Sequence, residues 1–176
     1  MQWQELIVGI HLRIAQELER VLDGLTVEDL NQQPRPDCNS IGWLAWHLTR
    51  SQDRAIEELA GQEQVWTRYR WYSVFNRPPD PTDTGYGHSP EDVAAFRAPD
   101  GKTLFEYHML VLEETKRYLS TVLSETDLER EFENPAIPRA PTVYARILGV
   151  INDNLQHVGQ AAYVRGLLKG KGWSDR

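Results

Sequence analysis

Apolar residues return every three or four positions in four separate stretches of the chain, and that spacing predicts four long helices. The first runs from Gln2 to about Leu22, with Leu6, Ile10, Ile14, Leu18 and Val21 on one stripe and Gly24 closing it. The second, capped by Asn39 or Ser40, carries Ile41, Leu44, Leu48, Ile56 and Leu59 and stops at Gly61. A capping box of Thr103 and Glu106 opens the third, which continues to about Ser124 through Leu104, His108, Val111, Thr115, Leu119 and Val122. The fourth spans about Thr142 to Leu168 and ends at GKG. With no alternating stretch that reads as a strand and no internal repeat, the expected fold is all-α, a four-helix bundle.

The connections differ in length. Leu25, Thr26 and Leu30 lead into a turn region ending in Pro34 and Pro36, and Thr126 to Pro141 is a short linker carrying Pro135, Pro138 and Pro141. Gln62 to Gly101 is much longer, which predicts a long crossover between helices two and three. Trp66, Tyr69, Trp71, Tyr72 and Phe75 crowd its first half. Ser89, Pro90 and Asp92 then supply a cap, a first-turn proline and an acid at the third position, so a short helix is expected from Pro90 to about Arg97. Long irregular segments often line binding sites, so the rings are candidates for a pocket wall. Packing across the helix ends is the simpler expectation.

The fourth helix has an unusual centre, where Asn152, Asp153, Asn154, Gln156, His157 and Gln160 interrupt an apolar pattern. Asp153 and His157 are four apart and leave the helix on one face. One stripe, through Val150, Asp153, His157, Ala161, Val164 and Leu168, aims both at the core. A charge so placed must be paired or bound to a metal, because its desolvation is otherwise too costly. The other stripe, through Ile147, Ile151, Asn154, Val158 and Ala162, turns them to the edge, where such a pair is worth only about 0.2 to 0.5 kcal/mol. Periodicity leaves both open. His47, beside Leu44 and Leu48 near the middle of helix two, is the candidate third member. Two His and one Asp would leave a divalent ion with open positions, as in catalytic sites.

At 176 residues the chain is expected to form one domain, residues 1–176. A formal charge of −7 argues against nucleic-acid binding, which wants a basic surface. No apolar run approaches the roughly 20 residues needed to span a bilayer, and the charged N-terminus lacks a signal-peptide core, so the expectation is a cytoplasmic protein. The single cysteine, Cys38, permits no intrachain disulfide and reads as a small buried filler. His11, beside its helix stripe, reads as partly exposed, and His108, on the stripe, as a satisfied core residue. Asp53, six positions from His47, is rotated off its face.

SIGWLAWHLTRSQDR around His47, QHVGQAAYVRGLL around His157 and GYGHSPEDVAAFR in the middle stretch resemble the DinB-like family of four-helix metal proteins. That family also includes the mycothiol-dependent maleylpyruvate isomerase domain and the N-terminal domain of some ergothioneine-synthesis enzymes. The resemblance spans nearly the whole chain. It implies a divalent ion, often nickel or zinc, held by His47 and by the pair Asp153 and His157. The first of that pair is frequently His in the family; Asp153 departs from this, as the isomerase branch does with its own carboxylate. It further implies a thiol-transferase or isomerase reaction on a small-molecule substrate, with a low-molecular-weight thiol as a second cofactor. Within that picture Arg165 and Gln160 are candidates for cofactor contacts, Arg165 for an anionic group and Gln160 for a ligand imidazole. Arg50 is a candidate for orienting a substrate carboxylate, and His88, in a glycine-rich loop, for a fourth ligand or proton shuttle. Their plainer readings are a surface ion pair for Arg165 and an exposed side chain for His88. Metal-dependent hydrolysis and non-catalytic, stress-associated binding of a metal or small ligand are the alternatives. Exposed faces of helices one and three are candidates for pairing two copies as a homodimer.

Overall fold

The structure, a computed structural model, describes residues 2–132, 141–170 and 172–174. Pro135 and Pro138 of the expected linker and Lys171 of the GKG ending lie outside the described residues. Four long helices carry the architecture: α1 (Trp3–Leu22), α2 (Ile41–Ala60), α3 (Gly101–Arg117) and α4 (Val143–Lys169). Their ends follow local chemistry. Ser40 caps α2 by accepting from the Trp43 N–H at 3.2 Å, and Gly61 ends it in the left-handed conformation. Thr142 caps α4 through the Ala145 N–H.

The start of α3 differs from expectation. Asp100, not Thr103, is the cap: its carboxylate accepts from the Thr103 N–H at 2.7 Å and from the Thr103 hydroxyl at 2.8 Å. The residue expected as the cap therefore lies inside the first turn. The far end also changes character, since α3 stops at Arg117 and a wider π-type turn covers Tyr118–Val122. The loops hold more helix than expected. Val27–Asn31 forms a turn and a half behind a Thr26–Asp29 capping box, and Val65–Arg68 and Trp71–Val74 are single turns. The Ser89–Asp92 box opens Pro90–Ala95 as the sequence predicts.

Each of α1 and α2 packs against both α3 and α4, which makes an all-α four-helix bundle. Trp66 and Phe96 of the long crossover between α2 and α3 are buried on Trp46, and Trp66 and Phe75 on Tyr107, so these rings pack rather than line a groove. Two apolar clusters fill the interior. One contains Ile56, Leu59, Leu119, Val143, Ile147 and Ile151, and the larger contains Ile14, Leu18, Leu48, Val111, Val158 and the buried tryptophans.

Along every helix the change from one cluster to the other falls at a buried polar residue. These are His11 on α1, Thr49 and Gln52 on α2, Thr115 on α3 and Asn154 on α4, with His108 on α3 buried within the larger cluster beside Thr49. Asn154 donates to Gln52 at 2.6 Å, Gln52 donates to Thr115 at 2.8 Å, and Thr49 bonds His108 at 3.0 Å. His108 is thus the core residue its stripe suggested. His11 is a correction: at 1% exposure it is enclosed, because the layer draws in the side chain beside the apolar stripe. Cys38 is another, lying half-buried in the turn before α2 rather than in the core.

Candidate metal centre

Helix α4 settles between its two sequence registers. Ile147, Ile151, Asn154 and Val158 are buried together with Val150, Ala161 and Val164, so Asp153 and His157 stand at the edge of the buried face. That edge meets α2. His157 Nε2 lies 3.3 Å from Asp153 Oδ1, and His47 Nε2 lies 3.8 Å from Asp153 Oδ2. The two imidazole rings meet edge to face with centroids 4.5 Å apart. Three donor atoms, one from each residue, lie within 4.8 Å of one another.

Both imidazoles are held by the nitrogen that points away. His47 Nδ1 donates to the Thr84 carbonyl at 2.5 Å, and His157 Nδ1 donates to Gln160 Oε1 at 2.7 Å. Each ring is therefore anchored at Nδ1 and turns Nε2 inward toward Asp153, the orientation a ligating histidine requires. Trp43 stacks on His47 with centroids 4.7 Å apart and fixes the ring plane. The loop supplying Thr84 approaches closely at Gly85, which has φ +86°. A Cβ there would lie 2.8 Å from Trp43 and 2.9 Å from Trp46, so only glycine fits.

The charges respond to this setting. Burial lowers the His47 pKa, outweighing the Thr84 carbonyl and the Asp153 charge. Burial would also lower His157 and raise Asp153. The hydrogen bond between the two and the facing charges prevail, so His157 is raised and Asp153 lowered. Ser51, one turn after His47, also helps hold the Asp153 carboxyl low.

A divalent ion fits the donor set. Tetrahedral bonds of about 2.0 to 2.1 Å place neighbouring donors roughly 3.4 Å apart, beside the 3.3 and 3.8 Å from the Asp153 oxygens to the two Nε2 atoms and the 4.8 Å that bounds the whole set. Asp153 Oδ2 is buried without a hydrogen-bond partner, facing His47. Two neutral nitrogens and one carboxylate oxygen suit zinc or nickel, for which imidazole is a good ligand.

The other candidate residues are placed differently. Gln160 is on His157, as described. Arg50 is fully enclosed: Nη1 donates to Asp53 at 3.2 Å and Gln64 at 2.9 Å, Nε to the Asp83 carbonyl and Nη2 to the Pro81 carbonyl. It anchors the segment that ends at Thr84, so it supports His47 through the loop rather than meeting a ligand at the cluster. Asp53 belongs to that buried group, its pKa raised by burial against the Arg50 charge.

His88 is packed, not exposed. Its Nδ1 accepts from Trp43 Nε1 at 3.3 Å, its Nε2 donates to Asp83 at 3.1 Å, and its ring lies over Trp46. Both nitrogens are engaged, with Trp43 between this ring and His47. Arg165 lies near the other end of α4. It donates to the Arg20, Val21 and Asp23 carbonyls, satisfying the end of α1, and faces Trp173. Sequence reasoning missed Thr84, Gly85 and Ser51. Of these, only Ser51 carried a local signal, being four residues from His47 on the same helix face.

Residues 12–161 match the DinB superfamily. A protein described as "the conserved protein of locus from Enterococcus faecalis" has a crystal structure similar to this chain, with 30% identity and a TM-score of 0.87. The similarity covers 97% of this chain and 99% of that one. A search of curated proteins returns no match. A family match over most of the sequence, a bundle shared almost end to end with a solved relative, and a His–Asp–His cluster between α2 and α4 agree: the chain belongs to the DinB superfamily.

Proposed function

We propose that this protein is a divalent-metal-dependent enzyme of the thiol-transferase or isomerase type, acting on a small molecule in the cytoplasm. His47, Asp153 and His157 are its ligands. The observation that carries this reading is the orientation of the two imidazoles, each tied at Nδ1 and each turning Nε2 toward Asp153. A zinc or nickel ion in that position supplies Lewis acidity and lowers the pKa of a thiol or water that reaches it. The protein's own part is positional. Thr84 and Gln160 hold the ligand rings, Trp43 excludes water from one side of His47, and Ser51 steadies the carboxylate.

The test is elemental analysis of natively purified protein beside His157→Ala, followed by turnover assays with and without low-molecular-weight thiols. Near-stoichiometric nickel or zinc, lost in the variant, is the expected result. Thiol-dependent turnover then supports the transferase or isomerase reading, whereas turnover without thiol supports metal-dependent hydrolysis instead. Metal retention with no turnover in either condition leaves the non-catalytic binding role. That alternative draws support from the packing of His88 and Arg50, both of whose polar atoms are engaged elsewhere. A homodimer is also proposed. Its face would lie on α4 rather than on α1 or α3, because Tyr144, Leu148, Leu155, Tyr163 and Leu167 leave an apolar strip exposed there. Light scattering on the wild type and on Leu155→Lys checks it.

A further inference from the structure

Charge marks the solvent side of α1 and α3 but is missing from that of α4. Exposed positions on α1 include Glu5, Arg13, Glu19 and Arg20, and those on α3 include Lys102, Glu106 and Glu113. Along α4 the exposed positions are apolar, glycine or amide, and only Lys169, in the last place, is charged. Its other charges turn inward: Arg146 to Glu58, Asp153 to the two histidines and Arg165 to the end of α1. A helix without a charged side is normally covered all round. That holds for α2, on which no residue is exposed, because the other helices and the crossover close round it. Nothing in this chain covers the outer side of α4.

The glycines of α4 point the same way. Gly149, Gly159 and Gly166 lie inside the helix, where glycine weakens it. A Cβ at any of them would meet nothing within 4 Å, so the packing of the chain itself does not require them. What they permit is close approach of another backbone. Gly159 and Gly166 continue a line through Leu148, Asn152, Leu155 and Ala162 at alternating spacings of four and three, the repeat along which helices pair.

A second copy of this chain is the occupant that fits. Two identical faces without charge meet free of repulsion, whereas a charged partner or a membrane headgroup layer finds nothing to pair with. Tyr144, Leu148, Leu155, Tyr163 and Leu167 leave on the order of 500 Å² uncovered. The glycine and amide positions between them bring the face to roughly 800 Å², the share of one partner in a stable complex. This face also borders the metal ligands. Gln160 follows Gly159, and its bond to His157 Nδ1 is exposed to solvent.

We propose that two copies pair along this line with Gly159 at the close approach, and that the partner helix shields the Gln160–His157 bond, so that pairing and metal binding strengthen each other. The coupling rests on the metal-site reading above; the pairing does not.

Sedimentation equilibrium of metal-free wild type, Gly159→Leu and Leu148→Lys tests the pairing. A wild-type dimer at micromolar concentration is expected. Gly159→Leu should sediment as a monomer with its helical circular dichroism intact, because the added side chain meets no atom of its own chain. A monomeric wild type, or a dimer that survives in both variants, overturns the pairing. Zinc affinity, read by competition with a chelator, is then compared between wild type above and below its dimer dissociation constant and Leu148→Lys. The dimer should bind zinc about tenfold more tightly, and diluted wild type should match the variant. Equal affinity in dimer and monomer overturns the coupling. Protein that takes up no zinc overturns the metal reading and the coupling with it, while sedimentation still decides the pairing.

Discussion

Two pairs of histidines occupy the middle of this bundle, and their surroundings give them different chemistry. His11 lies in the polar layer between the apolar clusters and His108 within the larger cluster, with neutral partners such as Thr49. Burial drives them down, His11 to about 4 and His108 to about 3, so both are uncharged at neutral pH. His47 and His157 stand at the α2–α4 edge with Asp153 between them; burial still lowers His47, but His157 is raised. Burial alone does not make a histidine a ligand. A carboxylate in line, an anchored Nδ1 and an open side do.

The largest effect that would sharpen this contrast is on metal retention. His47→Ala or His157→Ala should leave the purified protein without metal, while His108→Leu should keep it near one ion per chain by elemental analysis. Metal lost equally from all three would erase the distinction between the pairs.

Next comes acid stability, which the interior pair should dominate. Their folded pKa values lie below the unfolded value near 6.5, so below that pH the unfolded chain binds more protons and folding weakens. Each such histidine costs about 1.4 kcal/mol per pH unit. Glu57 acts in the opposite sense. Burial, with Glu114 and Asp53 beside it, raises its pKa to about 7, so its contribution is lost as pH rises from about 4.5 to 7. Among these three groups, two histidines against one carboxylate contribute a loss of about 1.4 kcal/mol per unit as pH falls from 6.5 toward 4.5. Urea unfolding of metal-free protein at several pH values measures this slope, and His108→Leu should flatten it. An unchanged slope in that variant would remove the acid sensitivity from the interior pair.

The smallest of the three effects concerns the anchors of the edge pair. Gln160→Ala should weaken metal binding by about 10- to 100-fold without changing the urea midpoint of the metal-free protein, read by competition with a chelator. Thr49→Val, which disturbs the anchor of His108, should leave that metal affinity unchanged. Equal responses to the two would break the comparison.

Much of the frame was legible because caps and stripes are local. Ser40 and the Ser89–Asp92 box hold their helices as their residue types require, and Gly24 and Gly61 end theirs. The register of α4 was not legible. Apolar residues occur all around that helix, including the exposed Tyr144, Leu148, Leu155, Tyr163 and Leu167, so no single stripe stands out. The two registers were in fact less exclusive than periodicity suggests, since edge positions on α4 still face His47. Pairwise spacing brought Asp153 to His157, but joining His47 to them took tertiary packing, for which the family resemblance substituted. Arg50 shows the limit most clearly. Its partners Gln64, Pro81 and Asp83 lie far along the chain, and nothing beside it in sequence marks it as enclosed.

The separation of the ligands along the chain has a consequence of its own. His47 belongs to the second long helix and Asp153 and His157 to the last, with about a hundred residues between them, including all of α3. An ion bridging these residues is a removable crosslink that closes most of the polypeptide into one ring. For a covalent tie over a loop of that length, the lost freedom of the unfolded chain corresponds to about 4.7 kcal/mol. The same three side chains that could hold an ion are thus placed to act as a clasp, and resistance to unfolding would then be a readout of metal supply.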